Sequence, residues 1–139
     1  MNAITRILAR IARGSKEQSV WIRGERAAAR HMKRNGYRVL ARNLKLGLGE
    51  IDILCEEPKS RCVVVVEVKA RLKHADDTRQ IDPEANITAS KISKLRSLAA
   101  VLMKQDAYKD RPIRIDVIAV VFEDGRPEPV ELRHYQSAV

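Results

Sequence analysis

The sequence predicts an α/β fold in which a mixed central sheet has helices on both sides. Residues 49–71 read as two β-strands joined by a turn, because apolar and polar side chains alternate along both halves. Residues 113–121 form a mostly apolar strand of the kind that is buried on both faces of a sheet. Helical spacing of apolar residues fills 16–35 and 88–105. The chain is long enough for one core, and we expect a single domain, residues 1–139.

The first segment, residues 1–14, has the pattern of a basic amphipathic helix. Isoleucine and leucine recur at helical spacing, arginines lie between them, and no acidic residue precedes Glu17. Gly14 predicts the end of this helix, and Ser15 predicts the N-cap of the next one. We interpret the segment as a helix that covers an edge of the core and adds phosphate contacts. A transit peptide or a membrane-surface helix would have a similar composition.

The second helix is expected over residues 16–35, where an Asn-Gly pair is a strong stop signal. One stripe of this helix comprises Trp21, Glu25, Ala28 and Met32. This stripe is otherwise apolar, and burying a carboxylate on it costs folding free energy unless the carboxylate has a partner. Glu25 therefore either forms a salt bridge with Arg23 or Arg26, or points at the polar face of the hairpin. The other side of the helix is basic, and we predict DNA contacts there for Arg26, Arg30, Lys33 and Arg34.

The hairpin carries the candidate site. A turn centred between Lys59 and Ser60 places Asp52 opposite Glu67. One face is then apolar and comprises Ile51, Ile53, Cys55, Cys62, Val64, Val66 and Val68; the other carries Glu50, Asp52, Glu67 and Lys69. Carboxylates directly opposite each other destabilise a sheet, and a hard divalent cation would remove that repulsion. The alternative is a solvated outer face, but the charges cluster at one end and valines share their face, which favours a site.

This set of side chains suits phosphodiester hydrolysis. Asp52 and Glu67 each offer a carboxylate oxygen to Mg²⁺ or Mn²⁺, and the Val68 carbonyl is a third candidate ligand. Lys69 lies one pleat repeat from Glu67, where its charge favours a metal-bound hydroxide or stabilises charge that develops on the phosphate. Glu25 is a candidate for holding a second ion or orienting a water molecule. Because no activated serine, cysteine or histidine is needed, in-line hydrolysis is the expected reaction.

The distribution of charge indicates a polyanionic partner. The net charge is +9, from 27 Lys and Arg against 18 Asp and Glu. Residues 1–50 hold 12 basic and 3 acidic residues, and residues 51–139 hold 15 of each, so the excess lies in the first third. Aromatic residues make up only 4%, which argues against a base-stacking platform and leaves phosphate contacts as the expected mode of nucleic-acid binding.

Cysteine content and hydropathy indicate the compartment. Two cysteines, Cys55 and Cys62, are too few for a disulfide framework, and we expect both in the core of a reduced, cytoplasmic protein. No apolar run approaches the roughly 20 residues that span a bilayer, so no integral membrane association is expected.

Residues 72–87 are predicted to form a polar loop. His74 in this loop is a candidate substrate contact, although a surface histidine is the simpler interpretation.

The ordered motifs resemble a known family. Asp52 followed by Glu67-Val68-Lys69 is similar to the PD-(D/E)xK nuclease signature. Closer agreement comes from Gly24-Glu25-x-x-Ala28, Gly36-Tyr37, Arg42-Asn43, Gly49-Glu50-Ile51-Asp52, Val66-Glu67-Val68-Lys69-x-Arg71, Lys91 and Arg114-x-Asp116-Val117. This set resembles the YraN family, bacterial proteins described as endonucleases and similar to archaeal Holliday junction resolvases. The resemblance runs from about residue 24 to the C-terminus.

The resemblance implies a restriction-endonuclease-like core and activity on branched or structured DNA. It implies metal ligands at Asp52 and Glu67, a catalytic Lys69 and a further acid at Glu25. It also implies that the protein forms a homodimer. This sequence has Gly49-Glu50-Ile51-Asp52 where many nucleases have Pro-Asp, so Asp52 keeps the ligand role and Glu50 is an extra acid. We list Glu50, Lys91 and Asp116 as accessory residues, and Arg42, Arg71 and Lys94 as further DNA contacts. The alternative function is a non-catalytic nucleic-acid-binding or scaffold protein on the same fold.

Overall fold

The computed structural model describes residues 2–74 and 87–138, without the side chains of residues 7–18. The elements in chain order are α1 (Ala3–Arg34), β1 (Arg38–Leu46), β2 (Gly49–Glu56), β3 (Val63–Lys73), α2 (Ala89–Met103), β4 (Ile113–Glu123) and β5 (Glu131–Tyr135). The five strands form one sheet in sequence order. Only β3 and β4 pair in parallel, and α2 lies in the connection between them. The predicted mixed sheet is therefore confirmed.

The two helices cover opposite faces of the sheet, as predicted. On one face α1 packs over a cluster that includes Met32, Val66 and Phe122. On the other face α2 packs over a second cluster that includes Leu54 and Leu98. Strands β2, β3 and β4 supply residues to both clusters, which explains why their sequences are so apolar.

The predicted break in the N-terminal helix is wrong. Residues 3–34 form one continuous helix, so Gly14 does not end a helix and Ser15 does not begin one. The N-cap is Asn2, whose side-chain oxygen accepts a 2.8 Å hydrogen bond from the Thr5 N–H. A glycine within a helix costs only about 1 kcal/mol relative to alanine, which the many residues on either side outweigh. Residues 3–14 are thus the first part of α1 and not a separate helix.

The hairpin register is the predicted one, with one local exception. Ile53 pairs with Val66 and Cys55 with Val64, which continues the register expected from the turn. Ile51, however, packs in the α2-side cluster, whereas Ile53 packs in the α1-side cluster. Residues two apart in a regular strand share a face, so alternation breaks at the residue between them, Asp52. The prediction that Ile51 lies on the same apolar face as Ile53 is wrong for this reason.

The other elements agree closely with the sequence. Helix α2 and strand β4 lie within two residues of their predicted bounds, and β5 is an edge strand of the sheet. Strand β3 extends to Lys73, which shortens the predicted loop over 72–87; residues 75–86 of that loop lie outside the described residues. Cys55 is buried and Cys62 half-buried, both as free thiols on the α1 side. No helix within the described part of the chain is long and apolar enough to cross a membrane.

Candidate active site

Buried carboxylates mark the candidate active site. Among the residues that the structure describes, the buried charged side chains are Glu25, Asp52, Glu67 and Asp116, exposed by 2%, 9%, 3% and 0%. Ionised carboxylates are rarely buried without a partner, because desolvation penalises the charge. Glu25, Asp52 and Glu67 act on one another electrostatically, since Glu67 and Glu25 both raise the pKa of Asp52. The structure thus brings together the three acids that the sequence predicted from three separate elements.

Asp52 lies where strands β2 and β3 stop pairing. The paired register ends at Ile53 and Val66, and beyond it Asp52 Oδ2 accepts a 2.8 Å hydrogen bond from the Val68 N–H. Burial raises the pKa of Asp52 to about 7; repulsion from Glu67 adds to the rise, and the hydrogen bond from Val68 opposes it. A carboxyl group with this pKa is poised to lose or gain a proton near neutral pH, which is typical of functional sites.

Two lysines converge on Glu67. Lys91 Nζ, from the first turn of α2, lies 3.1 Å from Glu67 Oε1, and Lys69 Nζ lies 3.6 Å from the same oxygen. Glu67 is almost fully buried, while both ammonium groups remain partly exposed. The accessory residue Lys91 is therefore in the site. Its position in the first turn opposes the helix dipole, and the buried carboxylate is the anionic partner that compensates for this.

Glu25 is held by a residue that the sequence analysis missed, Asn43 of β1. With its amide nitrogen oriented towards the carboxylates, Asn43 lies 2.9 and 3.1 Å from the two oxygens of Glu25 and 3.1 Å from Glu50 Oε1. Asn43 has φ +51°, a left-handed conformation that asparagine tolerates better than most residues. Burial raises the pKa of Glu25, although the Asn43 hydrogen bond and the charge of Arg42 oppose the rise.

The partner of Glu25 is thus neither of the arginines considered from the sequence. Arg23 donates to the backbone carbonyls of Arg126 and Pro127, at 2.8 and 2.9 Å, and its guanidinium lies over Phe122. Arg26 is exposed. The extra acid Glu50 shares Asn43 with Glu25, which places Glu50 at the margin of the site.

Gly24 allows α1 to approach β3 closely enough to deliver Glu25. A Cβ at this position would lie 2.4 Å from the Ala70 Cβ and 3.8 Å from a methyl of Val68. Real side chains do not approach so closely, so only glycine fits between the helix and the strand here. The close approach fixes the height of α1 over the segment of β3 that contains Lys69.

The predicted DNA contacts are spread over the surface. Arg26, Lys33, Arg34, Arg42 and Lys94 are exposed, and Arg71 is half-buried. Arg30 is also exposed, but it pairs with Glu128 of the β4–β5 connection at 3.2 Å. The carboxylate site lies elsewhere, because Glu25 contacts Asn43 of β1. Lys94 packs over Gly49, at the start of the strand that bears Asp52. Arg42 and Lys94 therefore lie nearer the carboxylates than Arg30 does.

Asp116 belongs to a different network. Its carboxylate accepts hydrogen bonds from Arg114 (2.8 and 2.9 Å), the Ser137 N–H (3.0 Å) and His134 Nε2 (2.8 Å). His134 Nδ1 lies 3.1 Å from His31 Nε2, so the two histidines that had no companions at ligand spacing in the sequence meet in the fold. Burial alone would raise the pKa of Asp116, but these hydrogen bonds outweigh it and hold the pKa below its usual range. His74 is exposed and pairs with Asp124.

The side chains do not form a ready-made metal cage. Within the described ranges 2–74 and 87–138, no group of three or more His, Cys, Asp or Glu side chains is arranged closely enough to hold an ion. The donor chemistry nevertheless suits a hard cation, because buried carboxylate oxygens repel one another at the end of the β2–β3 pairing. Glu67 is at present compensated by Lys69 and Lys91.

Comparison with known proteins places this arrangement in a family. The sequence profile of the uncharacterised protein family UPF0102 matches residues 24–120. The chain belongs to this family. It is the YraN family that the sequence motifs indicated. The matched residues begin at Gly24 and include the three clustered acids and the two lysines that contact Glu67. They also include Asn43 and Asp116, and they exclude residues 3–23 of α1 and all of strand β5.

Relatives in the UPF0102 family cover most of the chain. A UPF0102 protein of Syntrophomonas wolfei is 34% identical over 112 residues, which are 81% of this chain and 90% of the relative. A UPF0102 protein of Pelotomaculum thermopropionicum is 37% identical over 116 residues, 83% of this chain and 90% of the relative. Among solved structures, one described as "Structure of EndoMS-dsDNA2 complex" is similar at a TM-score of 0.41 and 18% identity, over 76% of this chain and 38% of that chain.

Proposed function

We propose that this UPF0102 protein is a metal-dependent endonuclease that hydrolyses phosphodiester bonds in DNA, with branched or structured DNA as the substrate. The observation that carries the proposal is the burial of Glu25, Asp52 and Glu67 beside two lysines that meet at one carboxylate oxygen. A structural role would not require three mutually repelling acids where the sheet opens, because apolar side chains would fill that space at lower cost. Phosphoryl transfer uses this combination of acids and ammonium groups.

The expected cofactor is Mg²⁺ or Mn²⁺. Asp52 and Glu67 would hold it, with the Val68 carbonyl and Glu25 as further candidate ligands. The bound ion would supply Lewis-acid activation of the phosphate and of a water molecule. The raised pKa of Asp52 supports this fit, since a positive ion at the site would replace the proton that the carboxyl now favours.

Lys69 is the residue that we propose as catalytic in the strict sense. Its side chain is 27% exposed, so it is accessible to a substrate phosphate while its ammonium group remains 3.6 Å from Glu67. A positive charge at this point stabilises negative charge that develops on the phosphate oxygens. Lys91 lies closer to Glu67 Oε1 than Lys69 does, at 3.1 Å, and compensates its charge, which leaves Lys69 free to contact the phosphate.

The basic side chains on the surface supply the proposed contacts to the DNA backbone. Arg42 acts electrostatically on Glu25, Lys94 packs over Gly49, and Arg71 follows Lys69 on β3. Arg26, Lys33 and Arg34 extend the positive surface along α1. Phosphate contacts of this kind give affinity and register without reading sequence. Binding should therefore weaken steeply with salt. A homodimer, which would offer two sites to two strands, is part of the proposal.

The alternative is a non-catalytic nucleic-acid-binding protein, and one observation favours it. Glu67 Oε1 is contested as a metal ligand, because Lys69 and Lys91 both lie against this oxygen, and the described residues form no preformed metal cage. In that case the acids and lysines would be retained as a neutral ionic cluster. The basic surface alone would then carry the function.

Cleavage assays distinguish the two functions. Wild type, Asp52→Ala, Lys69→Ala and a control with an exposed acid removed, Asp106→Ala, are incubated with branched and linear DNAs in Mg²⁺ or Mn²⁺. The nuclease predicts cutting by wild type and Asp106→Ala, and loss of cutting with binding nearly intact in the other two. Cutting that survives in both site variants would refute the site assignment. Tight binding with no cutting of any substrate would favour the alternative.

A further inference from the structure

The single tryptophan of the chain occupies an unusual position. Trp21 is 41% exposed, whereas Glu25, Ala28 and Met32 of the same predicted stripe are buried. The prediction that Trp21 lies on the buried stripe is therefore wrong at this end of it. Single exposed apolar side chains are common on protein surfaces. Trp21 differs from them because its indole offers a large flat aromatic face with a polar N–H, on the helical stripe that carries the buried Glu25.

Helix geometry places Trp21 next to the carboxylate site. Residues i and i+4 lie one above the other on the same face of a helix, so Trp21 lies one turn N-terminal to Glu25. The helix is fixed there by Gly24, which packs directly on Ala70 of β3. Within one helical turn the stripe changes from a buried acid to an exposed indole, which puts Trp21 at the solvent-accessible margin of the site.

The basic charge around Trp21 and its aromatic ring favour a nucleobase as the ligand of this side chain. The first 16 residues of the chain contain no acid, and α1 is basic, so a polyanion is the charge-complementary ligand for this end of the helix. Indole rings stack on nucleobases, and one such contact needs only a single aromatic side chain. Bases inside an uninterrupted duplex are already stacked on one another, so the base that meets Trp21 has to be unpaired.

Resting on the proposed function, we infer that Trp21 stacks on an unpaired nucleobase beside the phosphodiester bond held at Glu25, Asp52 and Glu67. The substrate class is then a nucleic acid with unpaired nucleotides next to the cleaved bond, such as a single strand, a flap or an open branch point. Uninterrupted duplex is bound through phosphates alone. Trp21 is a specificity-determining residue and takes no part in the chemistry.

Because Trp21 is the sole tryptophan, its intrinsic fluorescence monitors the contact directly. The full chain is titrated in EDTA, which prevents cleavage, with a single strand, a flap and a blunt duplex of matched sequence. We expect quenching by the single strand and the flap, and little change with the duplex. In parallel, anisotropy of a labelled oligonucleotide measures affinity for wild type, Trp21→Ala, Trp21→Phe and Ile22→Ala.

Trp21→Ala should weaken binding of the single strand and the flap on the order of tenfold, and leave duplex binding nearly unchanged. Trp21→Phe should retain most of the affinity, because a phenyl ring still stacks. Ile22 is the matched control: it is similarly exposed, at 37%, but points about 100° away around the helix, so Ile22→Ala should bind as wild type does.

The outcomes separate this inference from the proposed function. Nucleic acid that binds with no change in Trp21 emission, or Trp21→Ala that binds every substrate like wild type, overturns the stacking role alone. Failure of wild type to bind any nucleic acid overturns the proposed function and this inference together. Emission that changes with protein concentration in the absence of nucleic acid, and self-association lost in Trp21→Ala, would assign the indole to an interface between copies and overturn stacking.

Discussion

The Asp52 carboxylate accepts a 2.8 Å hydrogen bond from the backbone N–H of Val68 at the point where strands β2 and β3 stop pairing. A side-chain oxygen thus contacts the strand beyond the last backbone pair. The same carboxylate is buried and repelled by Glu67, which is why its pKa is raised to about 7. The site therefore combines one favourable local contact with an unfavourable charge.

This relationship predicts that Asp52→Asn stabilises the protein in the absence of divalent metal. The folded state holds the Asp52 proton more tightly than the unfolded state, whose pKa is near 3.8, so wild-type stability falls as pH rises from 3.8 through about 7. Asparagine keeps the oxygen that accepts from Val68 and carries no charge. At about pH 8 we expect a gain on the order of 2 kcal/mol, vanishing near about pH 4.

The measurement is thermal or urea unfolding with a chelator at both pH values. Glu56→Gln is the control, because Glu56 is a half-buried β2 carboxylate whose pKa is lowered by its hydrogen bond to Arg111. Glu56→Gln should show no increase in the free energy of unfolding at either pH. An Asp52→Asn protein less stable than wild type at the higher pH would contradict the proposed repulsion.

Close packing of Gly24 on Ala70 gives a second prediction. Gly24→Ala places a Cβ 2.4 Å from the Ala70 Cβ, so α1 has to move away from β3 and carries Glu25 with it. We expect a loss of about 1–3 kcal/mol of unfolding free energy, although alanine is the better helix former. The double variant Gly24→Ala/Ala70→Gly should recover most of this loss in a double-mutant cycle.

Gly47→Ala is the matched control for this steric argument, since a Cβ there meets nothing within 4 Å. Urea unfolding of wild type, Gly24→Ala, Ala70→Gly, the double variant and Gly47→Ala checks the prediction. If Gly24→Ala were as stable as wild type, the helix would not be seated on β3 as the structure shows.

The sequence predicted those parts of the fold and site that depend on local pattern. Strand alternation and a proline-containing turn predicted the register that the structure shows from Glu56–Val63 to Ile53–Val66, which ends one pair before Asp52 and Glu67. The acid of α1 was found because a carboxylate on an apolar stripe is costly. These signals lie within single elements or neighbouring strands, where spacing translates directly into position.

The sequence did not predict contacts between distant elements or a backbone that departs from its regular conformation. Asn43 reaches Glu25 because β1 adopts φ +51° at that residue, and a polar residue within a strand gave no sign of this. His31 and His134 are 103 positions apart and meet only through packing of α1 on the sheet. The break expected at Gly14 was wrong because a local stop signal was outweighed by the helix around it.

Asp116 provides the third prediction, on stability alone. Asp116→Asn removes the fully buried charge that Arg114 and His134 surround, which leaves the Arg114 guanidinium without its main partner in a largely buried position. Breaking a buried ion pair from one side costs about 3–5 kcal/mol. Urea unfolding should show this loss, while Asp124→Asn, which affects only the exposed pair with His74, should change stability by less than about 1 kcal/mol. Equal stability of the two variants would show that the Asp116 network contributes little to the fold.

The histidine pair predicts how stability depends on pH. Burial lowers the pKa of His31 from 6.5, and the nearby His134 lowers it further. Between the lowered pKa and 6.5 the unfolded chain therefore binds a proton that folded His31 does not, so stability falls as pH drops below 6.5. A hydrogen bond forms when only one of His31 Nε2 and His134 Nδ1 is protonated. When both nitrogens are protonated, the contact between them is repulsive.

His31→Gln removes this titration while its amide N–H can still donate to His134. We expect the variant to lose less stability than wild type between about pH 7.5 and about pH 5.5, measured by urea unfolding at intermediate steps. The control is Ser90→Ala, an exposed position without an ionisable side chain, and its curve should run parallel to that of wild type. Parallel curves for wild type and His31→Gln would mean that His31 titrates equally in the folded and unfolded chain, against the burial seen between α1 and β5.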